Sequence, residues 1–522
     1  MSRSIDISET HKEIVQAILR KHLTTSCHVW VFGSRATWLA KAYSDLDLAI
    51  ARKDGTPLSL TVMSALETAF EDSLLPWKVD VIDLHSVSEE FRAAIERDKV
   101  LFSFLVTRDT SLYIEKPLVG LIHIYDTMRK PVKKSDRTPG LFPYYGASGI
   151  TDYVESFIFN GKFVLLAEDG DNLRTKNTPI AFIANGKFWV NNHAHVIQGN
   201  ELADTTFICY ALQIANIESY ISGSTRPKIT QADMKKIPIF CPPLPEQKAI
   251  AHILGTLDDK IELNRQTNQT LEAMAQALFQ SWFVDFDPVI DKALAAGNEI
   301  PEAFQAKAAA RQAMGDQRLA LPEEVTALFP DSFVFTEEMG WVPEGWEVGT
   351  LHEIAIFKNG KTSPERTLGE FPVYGSNGLI GKCLEHNREN VIIIGRVGTY
   401  CGSLFYCNSK CWVTDNAISA EMKQKENNPY LLELLKKSAL NNSRVGSGQP
   451  LLNQNILSTI KIIKPYTPLV TFFSKNSFKL YEKIFHTASE IKNLTTLRDT
   501  LLPKLISGEL RVADAEKFMK EV

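Results

Sequence analysis

Residues 122–143 of this chain read IHIYDTMRKPVKKSDRTPGLFP, and residues 351–372 read LHEIAIFKNGKTSPERTLGEFP, so the two stretches align without a gap. The turn YGASG at 145–149 then returns as YGSNG at 374–378, an offset of 229. A repeat this long within 522 residues indicates a duplicated domain rather than a short-repeat solenoid. Two similar modules on one chain suggest a target with two parts.

The later matches between the copies have a smaller offset. WVNNHA at 189–194 aligns with WVTDNA at 412–417, which gives an offset of 223. The copies therefore differ by six residues (229 minus 223) between Gly149 and Trp189. We expect this difference to lie inside the repeated module and outside the segment that follows it.

The composition bounds the class of protein. The chain has room for about three domains, and no run approaches the roughly 20 apolar residues of a membrane helix. The N-terminal MSRSIDISETHKEIV lacks an apolar signal core, so we expect a cytoplasmic protein. Seven cysteines, an odd number without a framework spacing, fit reduced thiols. The net charge of −5 argues against a protein that coats DNA without regard to sequence.

The negative charge is concentrated between residues 285 and 340. This segment has eleven Asp or Glu against four Lys or Arg, a net −7, and it is interpreted as an acidic linker. The repeated modules are therefore close to neutral or slightly basic, with clusters such as Arg129-Lys130 and Lys133-Lys134. This distribution permits local contact with an acidic partner and does not demonstrate it.

Each copy is predicted to be a mostly β module followed by a long helix. Residues 110–243 and 341–465 are rich in short β-branched and aromatic runs broken by Gly, Asn and Asp. Proline clusters then introduce long helices at 244–284 and 466–510, and residues 511–522 form a tail.

Both helices have a heptad seam typical of a coiled coil. The two seams share one register, which favours packing of the helices on each other; two separate core helices are the alternative. With repeat two at the far end of the first helix, the second helix must run back, so we expect an antiparallel pair. A helix over Glu246–Trp282 would be about 55 Å long at about 1.5 Å per residue and would act as a ruler between the modules. The seam residues are Ile250, Leu254, Leu257, Ile261, Asn264, Asn268, Leu271, Ala275, Leu278 and Trp282, and Phe473, Ser477, Leu480, Ile484, Thr487, Ile491, Leu494, Arg498, Leu501 and Leu505.

Residues 1–107 lie outside the duplication and are predicted to form a small α/β domain. Helical spacing over residues 5–23 precedes an apolar strand at 29–32. The elements expected next are a strand at 46–51, a helix at 59–74 and a third strand at 78–84. The predicted fold class is therefore α+β, with two mostly β modules separated by a pair of long antiparallel helices and preceded by a small α/β domain.

These features together resemble the specificity subunit of type I restriction–modification systems. The resemblance covers about residues 110–522 and is carried by PLPEQKAIAHILGTLDDKIELNRQ, by LRDTLLPKLISGEL at 497–510, and by the repeated glycine turns and tryptophan blocks. It implies that the modules are target-recognition domains, each reading one half of a split DNA site. It also implies that the helices dock two methyltransferase (M) subunits, that restriction-translocation (R) subunits join the assembly, and that the subunit itself performs no chemistry and needs no cofactor for recognition.

Base reading requires hydrogen-bonding side chains such as Asn, Gln, Arg, Ser and Thr, and both modules place such residues at matching positions. Neighbouring basic residues are expected to contact phosphates, which position a protein without specifying a sequence. The alternative for each is a turn residue that satisfies its own backbone, or an ordinary solvated charge. The candidate DNA-binding residues are Lys133, Lys134, Ser148, Asn191, Asn192, His193, Ser224, Thr225, Arg226 and Lys228 in the first module, and Ser376, Asn377, Thr414, Asp415, Asn416, Arg444, Ser447 and Gln449 in the second.

The two modules begin differently. Repeat two opens with GWVPEGW at 340–346, which resembles the usual module start of the family. Nothing equivalent precedes Ile122 in repeat one. We therefore expect the first strand of repeat one to be missing or to be supplied by the N-terminal unit.

The N-terminal unit resembles the minimal nucleotidyltransferase domain. The resemblance rests on Gly33-Ser34, on Asp45 and Asp47, and on Asp80. Two carboxylates two apart on a strand point the same way, and a third from a neighbouring strand would complete a cage for Mg²⁺ bound with nucleotide phosphates. The Gly33-Ser34 turn would offer backbone amides to the phosphates of a nucleoside triphosphate.

Three functions are compatible with the sequence. The first is a DNA-recognition and assembly subunit that binds duplex DNA and no membrane. The second is a nucleotidyltransferase that modifies a protein or nucleic acid and is targeted by the duplicated region. Its activity stays open, because Trp38-Leu39 stand where that family usually has small or basic residues. The third is a helical scaffold whose β modules bind protein, as in an antitoxin or anti-phage complex.

Overall fold

The computed structural model describes residues 5–23, 27–41, 43–52, 55–102, 113–315, 321–365, 369–438, 440 and 451–515. The chain divides into two compact units, one of residues 1–255 with 500–522 and one of residues 256–499. The two longest helices each contribute residues to both units.

The described residues of 5–102 form a four-stranded sheet with three helices, which confirms the predicted α/β domain. Its elements are α1 (Glu9–His22), β1 (Cys27–Phe32), β2 (Leu46–Arg52), α2 (Leu60–Glu71), β3 (Val79–Asp83), α3 (Glu89–Asp98) and β4 (Val100–Leu101). The sheet order is β3-β2-β1-β4, and β2 and β3 are parallel. Ser8, Ser59 and Ser88 cap the helices by accepting backbone N–H groups. Alternating strand residues such as Val31 and Leu48 form the apolar core with the helices.

Residues 113–243, all of them described, form the first β-rich module. Its elements are β5 (Ile114–Pro117), β6 (Ile122–Ile124), β7 (Pro139–Gly146), β8 (Gly149–Val154), β9 (Phe159–Asn160), β10 (Phe163–Ala167), α4 (Asn172–Thr175), β11 (Ala181–Ala184), β12 (Lys187–Val190), β13 (Ala194–Gly199), α5 (Thr205–Ile214), α6 (Gln231–Met234) and β14 (Pro238–Cys241). Two sheets have the orders β11-β10-β13-β6 and β8-β7-β12-β9, and β5 pairs with β14. Phe159, Phe163, Leu165, Phe188 and Val196 form part of the core between them.

The first module has its own first strand, so the expectation that this strand is missing or supplied by the N-terminal unit is wrong. β5 pairs antiparallel with β14, with Ile114 opposite Cys241 and Pro117 opposite Pro238. Backbone pairing of the four residues of β5 with the four residues of β14 forms this ribbon, so it does not require the tryptophans of the GWVPEGW motif.

The described residues of 285–332 belong to the segment interpreted from its charge as an acidic linker, and they are folded and mostly helical. They contain α8 (Asp287–Ala296), α9 (Glu302–Met314) and α10 (Glu323–Thr326), and they follow α7 (Leu244–Phe279) and a π-helical turn (Gln280–Val284). Phe286, Val289 and Phe329 are buried in the core of residues 256–499. Arg311 pairs with Asp291 at 2.5 Å, so part of the acidic charge is compensated locally. Charge counting missed the apolar residues that fold this segment.

The described residues of 333–464 form the second module. Its elements are β15 (Phe333–Thr336), β16 (Gly340–Pro343), β17 (Glu347–Thr350), α11 (Leu351–Ile354), β18 (Ala355–Asn359), β19 (Phe371–Gly375), β20 (Gly378–Cys383), β21 (Arg388–Gly395), β22 (Leu404–Val413), β23 (Ala417–Met422), α12 (Asn428–Lys437), α13 (Gln454–Ser458) and β24 (Lys461–Lys464). The main sheet has the order β18-β23-β21-β22-β19-β20. β17 pairs with β24 just as β5 pairs with β14, and α14 (Thr467–Ile506) follows.

The two modules repeat the same strand pairing. β7 runs parallel to β12 with Tyr144 opposite Trp189, and β19 runs parallel to β22 with Val373 opposite Trp412. The aligned residues are 229 (373 minus 144) and 223 (412 minus 189) positions apart. These are the two offsets of the sequence repeat, so the duplication is structural.

Most of the length difference between the modules lies in one loop. Strand pairing aligns Ala167 at the end of β10 with Gly395 at the end of β21, an offset of 228 (395 minus 167). The next aligned strands begin at Ala181 and Leu404, where the offset is 223 (404 minus 181). Five of the six additional residues of the first module therefore lie in residues 168–180, the α4 loop.

α7 and α14 pack antiparallel within residues 256–499, as predicted. Arg498 Nη1 donates to Asp258 Oδ1 at 2.7 Å, and the rings of Phe279 and Phe473 pack with their centroids 5.8 Å apart. Every residue of both predicted seams is buried or partly buried. Long as they are, these helices and the others in the described ranges lack the apolar run that crossing a lipid bilayer requires.

Removing the Phe473 ring should destabilise the helix pair. Phe473 is buried and packs against Phe279, Trp282 and Tyr430. Phe473→Ala should lower the free energy of unfolding by about 3–5 kcal/mol, because apolar burial is lost and a cavity remains. Leu263→Ala, at a 56% exposed position of α7, is the control and should change it by less than about 0.5 kcal/mol. Urea unfolding measures both values, and equal losses would contradict this packing.

Candidate nucleic-acid interface

One edge of the first module brings together several candidate residues. Because β7 and β12 are parallel neighbours, the β7–β8 turn and the loop after β12 lie at the same edge. The backbone N–H of Asn191 donates to the carbonyl oxygen of Tyr145 at 3.1 Å, which joins the loop to the turn. Ser148 in the turn and Asn192 in the loop are exposed there.

Asp169, which sequence analysis did not select, joins three further candidates to this edge. Its carboxylate oxygens lie 3.0 and 2.9 Å from His193 Nδ1, and Oδ1 accepts a hydrogen bond from Arg226 Nη2 at 3.1 Å. Its backbone bridges to Lys228. Asp169 lies in the α4 loop, where the copies differ in length, so no repeated block marks it.

Glu168, the neighbour of Asp169, has basic partners. Lys228 Nζ lies 3.1 Å from Glu168 Oε1, and Arg129 Nη1 lies 2.6 Å from Oε2. The charge of Lys228 is thus partly compensated before any phosphate approaches. Sequence analysis predicted Lys228 for this edge and missed Glu168 and Arg129.

Beneath the edge, the first module contains a buried ionic cluster. His195 Nδ1 lies 2.7 Å from Asp126 Oδ2, and Nε2 lies 2.9 Å from the carbonyl oxygen of Ile229. Both ring nitrogens of His195 thus face oxygen atoms in the interior. Burial alone would raise the pKa of Asp126, but hydrogen bonds from His195, from Gln231 and from the Val196 N–H hold that pKa below its usual value.

The second module builds the same edge with different side chains. The backbone N–H of Thr414 donates to the carbonyl oxygen of Tyr374 at 2.9 Å, the counterpart of the loop-to-turn bond in the first module. Ser376 Oγ accepts the backbone N–H of Arg396 at 3.2 Å and donates to the carbonyl oxygen of Asn416. The turn, the loop and the end of β21 therefore meet here as well.

Arg396 is the functional candidate of the second module that sequence analysis missed. Its Nη1 lies 3.4 Å from the carbonyl oxygen of Asp415, which lies in the loop after β22. Strand pairing aligns it with Glu168 at the offset of 228, so the two edges have opposite charges at this position. The matching blocks have offsets of 229 and 223 and could not reveal this pair.

Two of the candidate side chains bond the backbone of their own edge. Asn191 Oδ1 accepts the backbone N–H of His193 at 2.8 Å, and Ser376 Oγ bonds the loop backbone as described. For these two, the alternative of a turn residue that serves its own loop describes the contacts made. Thr414 is buried, and its hydroxyl has no hydrogen-bond partner within the described part of the chain.

The remaining candidates are largely exposed. Lys133 and Lys134 are exposed beside a 3₁₀ turn ahead of β7. Arg444, Ser447 and Gln449 lie outside the described residues. The exposed candidates at or near the two edges are Ser148, Asn192, Ser224, Thr225, Arg226, Lys228, Asn377, Asp415 and Asn416.

The three N-terminal carboxylates lie close together. Parallel pairing of β2 and β3 places Asp47 opposite Asp80, and Asp45 immediately precedes β2. Burial, then the charges of Asp80 and Asp45, raise the pKa of Asp47 above its usual value. A Cβ added to Gly33 would lie 2.5 Å from Asp47 Oδ2, so only glycine at this turn allows the backbone to approach this carboxylate so closely. Lys78 Nζ lies 2.5 Å from Asp80 Oδ1.

These carboxylates suit Mg²⁺ that arrives with a nucleotide. Within the described ranges, no group of three His, Cys, Asp or Glu side chains is arranged to hold a metal ion by itself. Mg²⁺ is usually bound by one or two carboxylates together with substrate phosphates. Burial and then the charges of Asp80 and Asp45 raise the pKa of Asp47, and such a cation would neutralise this negative charge.

Arg35 anchors the loop that leads to Asp45. Its Nε and Nη2 donate to the carbonyl oxygen of Ser44 at 3.1 and 2.7 Å, and its Nη1 donates to the carbonyl oxygen of Asp6 at 2.9 Å. The buried guanidinium lies 4.4 Å from the Trp77 ring centroid. No spacing in the sequence indicates this role, since the bonded carbonyls are nine and 29 residues away.

The family model for the type I restriction modification DNA specificity domain matches residues 113–273 and 343–468, which together exceed half of the chain. The chain belongs to this specificity family. The matched ranges contain the first β-rich module and the second one from residue 343 onward, and the prediction of a sequence-specific DNA-recognition subunit is confirmed.

Relatives in the specificity family cover most of the duplicated region. The HindI specificity subunit of Haemophilus influenzae is 29% identical over 403 residues, 67% of this chain and 84% of that one. The MjaIX specificity subunit of Methanocaldococcus jannaschii is 25% identical over 382 residues, 66% of this chain and 78% of that one. The crystal structure of a type I S subunit from M. genitalium shares the fold, with a TM-score of 0.50 at 21% identity over 75% of this chain and 95% of that one.

The N-terminal domain matches a different family, as predicted. The family model for polymerase β-type nucleotidyltransferases matches residues 13–104. A probable protein adenylyltransferase, MntA of Haemophilus influenzae, is 39% identical over 113 residues, which are 22% of this chain and 92% of that protein. A member of the specificity family therefore has a nucleotidyltransferase-like domain on the same chain.

Acid should destabilise the first module through Asp126. Its folded-state pKa lies below the unfolded value of about 3.9, so its stabilising contribution is present above about pH 4 and is lost as the pH falls through the folded value. Asp126→Asn should remove this part of the acid dependence and should also destabilise the module at neutral pH, because His195 loses its charged partner.

Urea unfolding between pH 3 and pH 7 checks this prediction. Asp415→Asn, which changes an exposed carboxylate of the second module, is the control and should retain the wild-type pH profile. If the profiles of wild type and Asp126→Asn run parallel, Asp126 does not contribute as expected.

Proposed function

We propose that this chain reads a split duplex DNA site, with one module on each half-site. The observation that carries the proposal is the shared edge, where the same parallel strand pairing brings the turn and the tryptophan-strand loop together in both copies. The side chains at this edge differ between the copies. One scaffold with two sets of hydrogen-bonding groups is what two different half-sites require.

The aligned positions indicate how the two half-sites differ. An amide can donate and accept and suits adenine, whereas a carboxylate only accepts and suits the amino group of cytosine. The charge of the residue that follows β10 in the first module and β21 in the second is also reversed, which changes the base edges that each module can bind. The aligned pairs are Asn192 with Asp415, His193 with Asn416, and Glu168 with Arg396.

The same proposal includes the assembly. The chain would perform no chemistry during recognition and would need no cofactor for it. Two methyltransferase (M) subunits would dock on the long helices, and restriction-translocation (R) subunits would join them. Exposed apolar side chains on α7 support docking, since Leu263 is 56% and Met274 is 53% exposed.

Methylation-site mapping tests the split target. In cells that express the chain with its methyltransferase, the methylated sites should share two short motifs separated by a fixed number of unspecified base pairs. Half-sites read in successive major grooves lie about 34–36 Å or a multiple apart, which sets the expected spacing. A single continuous motif would contradict the proposal.

Exposed candidates of each module should affect only one half-site. Asn192→Ala and Asn416→Ala should each relax one position of their own half-site by about tenfold, since a lost base contact corresponds to about 1–3 kcal/mol. Each variant is the control for the other half-site. Competition binding with duplexes that differ at single base pairs measures the effect. Equal weakening on every duplex would indicate phosphate contacts instead.

The N-terminal carboxylates favour a second function. We infer that residues 5–102 transfer a nucleotide from a nucleoside triphosphate, with Mg²⁺, to a protein or nucleic acid. The acceptor forms a bond to the α-phosphorus, the bond between the α- and β-phosphates breaks, and pyrophosphate leaves. Asp45, Asp47 and Asp80 would hold Mg²⁺, and Gly33-Ser34 would offer backbone amides to the phosphates. When bound, Mg²⁺ would neutralise phosphate charge and orient the reacting groups. The adjacent carboxylates on β2 and β3 and the close approach of Gly33 support this arrangement.

Incubation of the full-length chain with labelled ATP and Mg²⁺ tests the second function. Label should pass to a protein or nucleic-acid acceptor, and EDTA or Asp47→Asn should reduce transfer to background. Asp72→Asn, at an exposed carboxylate that ends α2, is the matched control and should label like the wild type. Equal labelling by wild type and Asp47→Asn would show that these carboxylates do not catalyse the transfer.

A further inference from the structure

Arg226 is an exposed arginine whose guanidinium is bound to a largely buried carboxylate. Its side chain is 67% exposed, yet Nη2 donates to Asp169 Oδ1 at 3.1 Å and lies 3.4 Å from His193 Nδ1. The Asp169 side chain is only 14% exposed, and His193 Nδ1 contacts both of its oxygens. One side of the guanidinium is therefore bound to a fixed carboxylate, while most of its surface faces solvent.

The loop that carries Arg226 is closed and supported. Ser222 and Lys228 exchange two backbone hydrogen bonds of 2.8 Å across it. Gly223 has a φ of +82°, and a Cβ there would lie 2.4 Å from the carbonyl oxygen of Arg226, so this turn requires glycine. Arg174 Nη2 donates to the carbonyl oxygen of Gly223 at 2.9 Å. These bonds fix the backbone from which the arginine extends.

The support for Arg226 comes from the α4 loop, where the first module is longer. This loop contains both Asp169 and Arg174, and the side chain of Asn172 closes it by bonding the backbone N–H and carbonyl oxygen of Thr178 at 3.0 and 2.9 Å. In the second module Val397 bridges to Leu451, as Asp169 bridges to Lys228. Val397 is apolar, so the second module has no carboxylate at the position aligned with Asp169.

An arginine bound to a carboxylate suits a base better than a phosphate. The opposite charges of Asp169 and Arg226 compensate each other, which reduces the attraction for an anion. The fixed orientation instead favours two acceptors side by side, because the planar guanidinium donates two parallel hydrogen bonds. Guanine offers such a pair, O6 and N7, in the major groove, whereas adenine places an amino donor beside N7.

We propose that Arg226, positioned by Asp169, reads a guanine in the half-site of the first module. The inference rests on the proposed reading of a split site, and it adds the identity of one base and the residue that orients its reader. Asp169 acts through Arg226 and is a positioning residue. The additional length of the first module thus serves one base contact.

Binding selection from random duplexes tests this proposal, with the full-length chain in complex with its methyltransferase. The wild-type motif should contain a guanine in one half-site. Arg226→Lys should relax that position by about tenfold or more, because a lysine keeps the charge and loses the planar pair of donors. Asp169→Ala should relax the same position less strongly, and the other half-site should stay unchanged. Lys236→Ala, which removes a 66% exposed lysine of the same module that pairs with Asp233, is the control and should preserve the guanine preference.

The possible outcomes separate this inference from the proposed function. A wild-type motif that is not split refutes the proposed function and the inference with it. A split motif without guanine in either half, or uniform weakening by Arg226→Lys with an unchanged motif, refutes the inference alone. Thermal unfolding of the variants accompanies the selection. Since Arg226 is largely exposed, Arg226→Lys should have the melting temperature of the wild type. If Asp169→Ala unfolds at a lower temperature than the wild type, the selection with Arg226→Lys alone tests the inference.

Discussion

The recognition geometry depends on one parallel strand contact in each module, β7 with β12 and β19 with β22. Every other strand pair in the described parts of the two modules is antiparallel. A parallel contact forces the chain between the two strands to cross over and return, and it makes both strands end at the same edge. The connection between the two strands can differ in length as long as the second strand pairs in register, and the α4 loop lies within this connection. The parallel contact therefore forms the recognition edge and also allows the two copies to differ in the loop next to it.

At equivalent buried positions, the first module has polar side chains and the second has apolar ones. Asp126 and His195 of the first module align with Ala355 and Ile418 of the second, at offsets of 229 and 223. An ion pair in the interior is not a strong source of stability, but removal of one partner leaves a buried charge. The first module thus depends on a buried carboxylate–imidazole contact beneath its edge, whereas the second depends on apolar packing. Recognition edges built on such different interiors can evolve separately.

Those parts of the fold that recur at a regular spacing could be predicted from the sequence. The seams recur every three or four residues and predicted both long helices and their packing on each other. The order of modules and helices along the chain predicted that this packing is antiparallel. A continuous apolar run predicted the first strand of the N-terminal domain. The first strand of repeat one could not be predicted, since Ile114 pairs with Cys241 at the other end of the module. The helical segment after α7 was hidden by its acidic composition.

The candidate site was predictable in position and only partly in its residues. The repeated blocks located both edges, because turn and loop sequences are shared. Asp169 lies 24 residues from His193 and 57 from Arg226, so only the folded chain shows that it joins them. Residue type also could not distinguish Asn192, which is exposed, from Asn191, whose oxygen bonds the loop backbone.

The anchoring of Arg35 has a practical consequence for the N-terminal domain. One guanidinium holds the carbonyl oxygen of Ser44, beside the first carboxylate, and the carbonyl oxygen of Asp6, ahead of the first helix. A fragment trimmed to the start of α1 would retain all three carboxylates and lose one of the attachments that orient them. The short segment before α1 is thus part of the scaffold of this site, and an affinity tag fused close to it would perturb the loop that leads to Asp45.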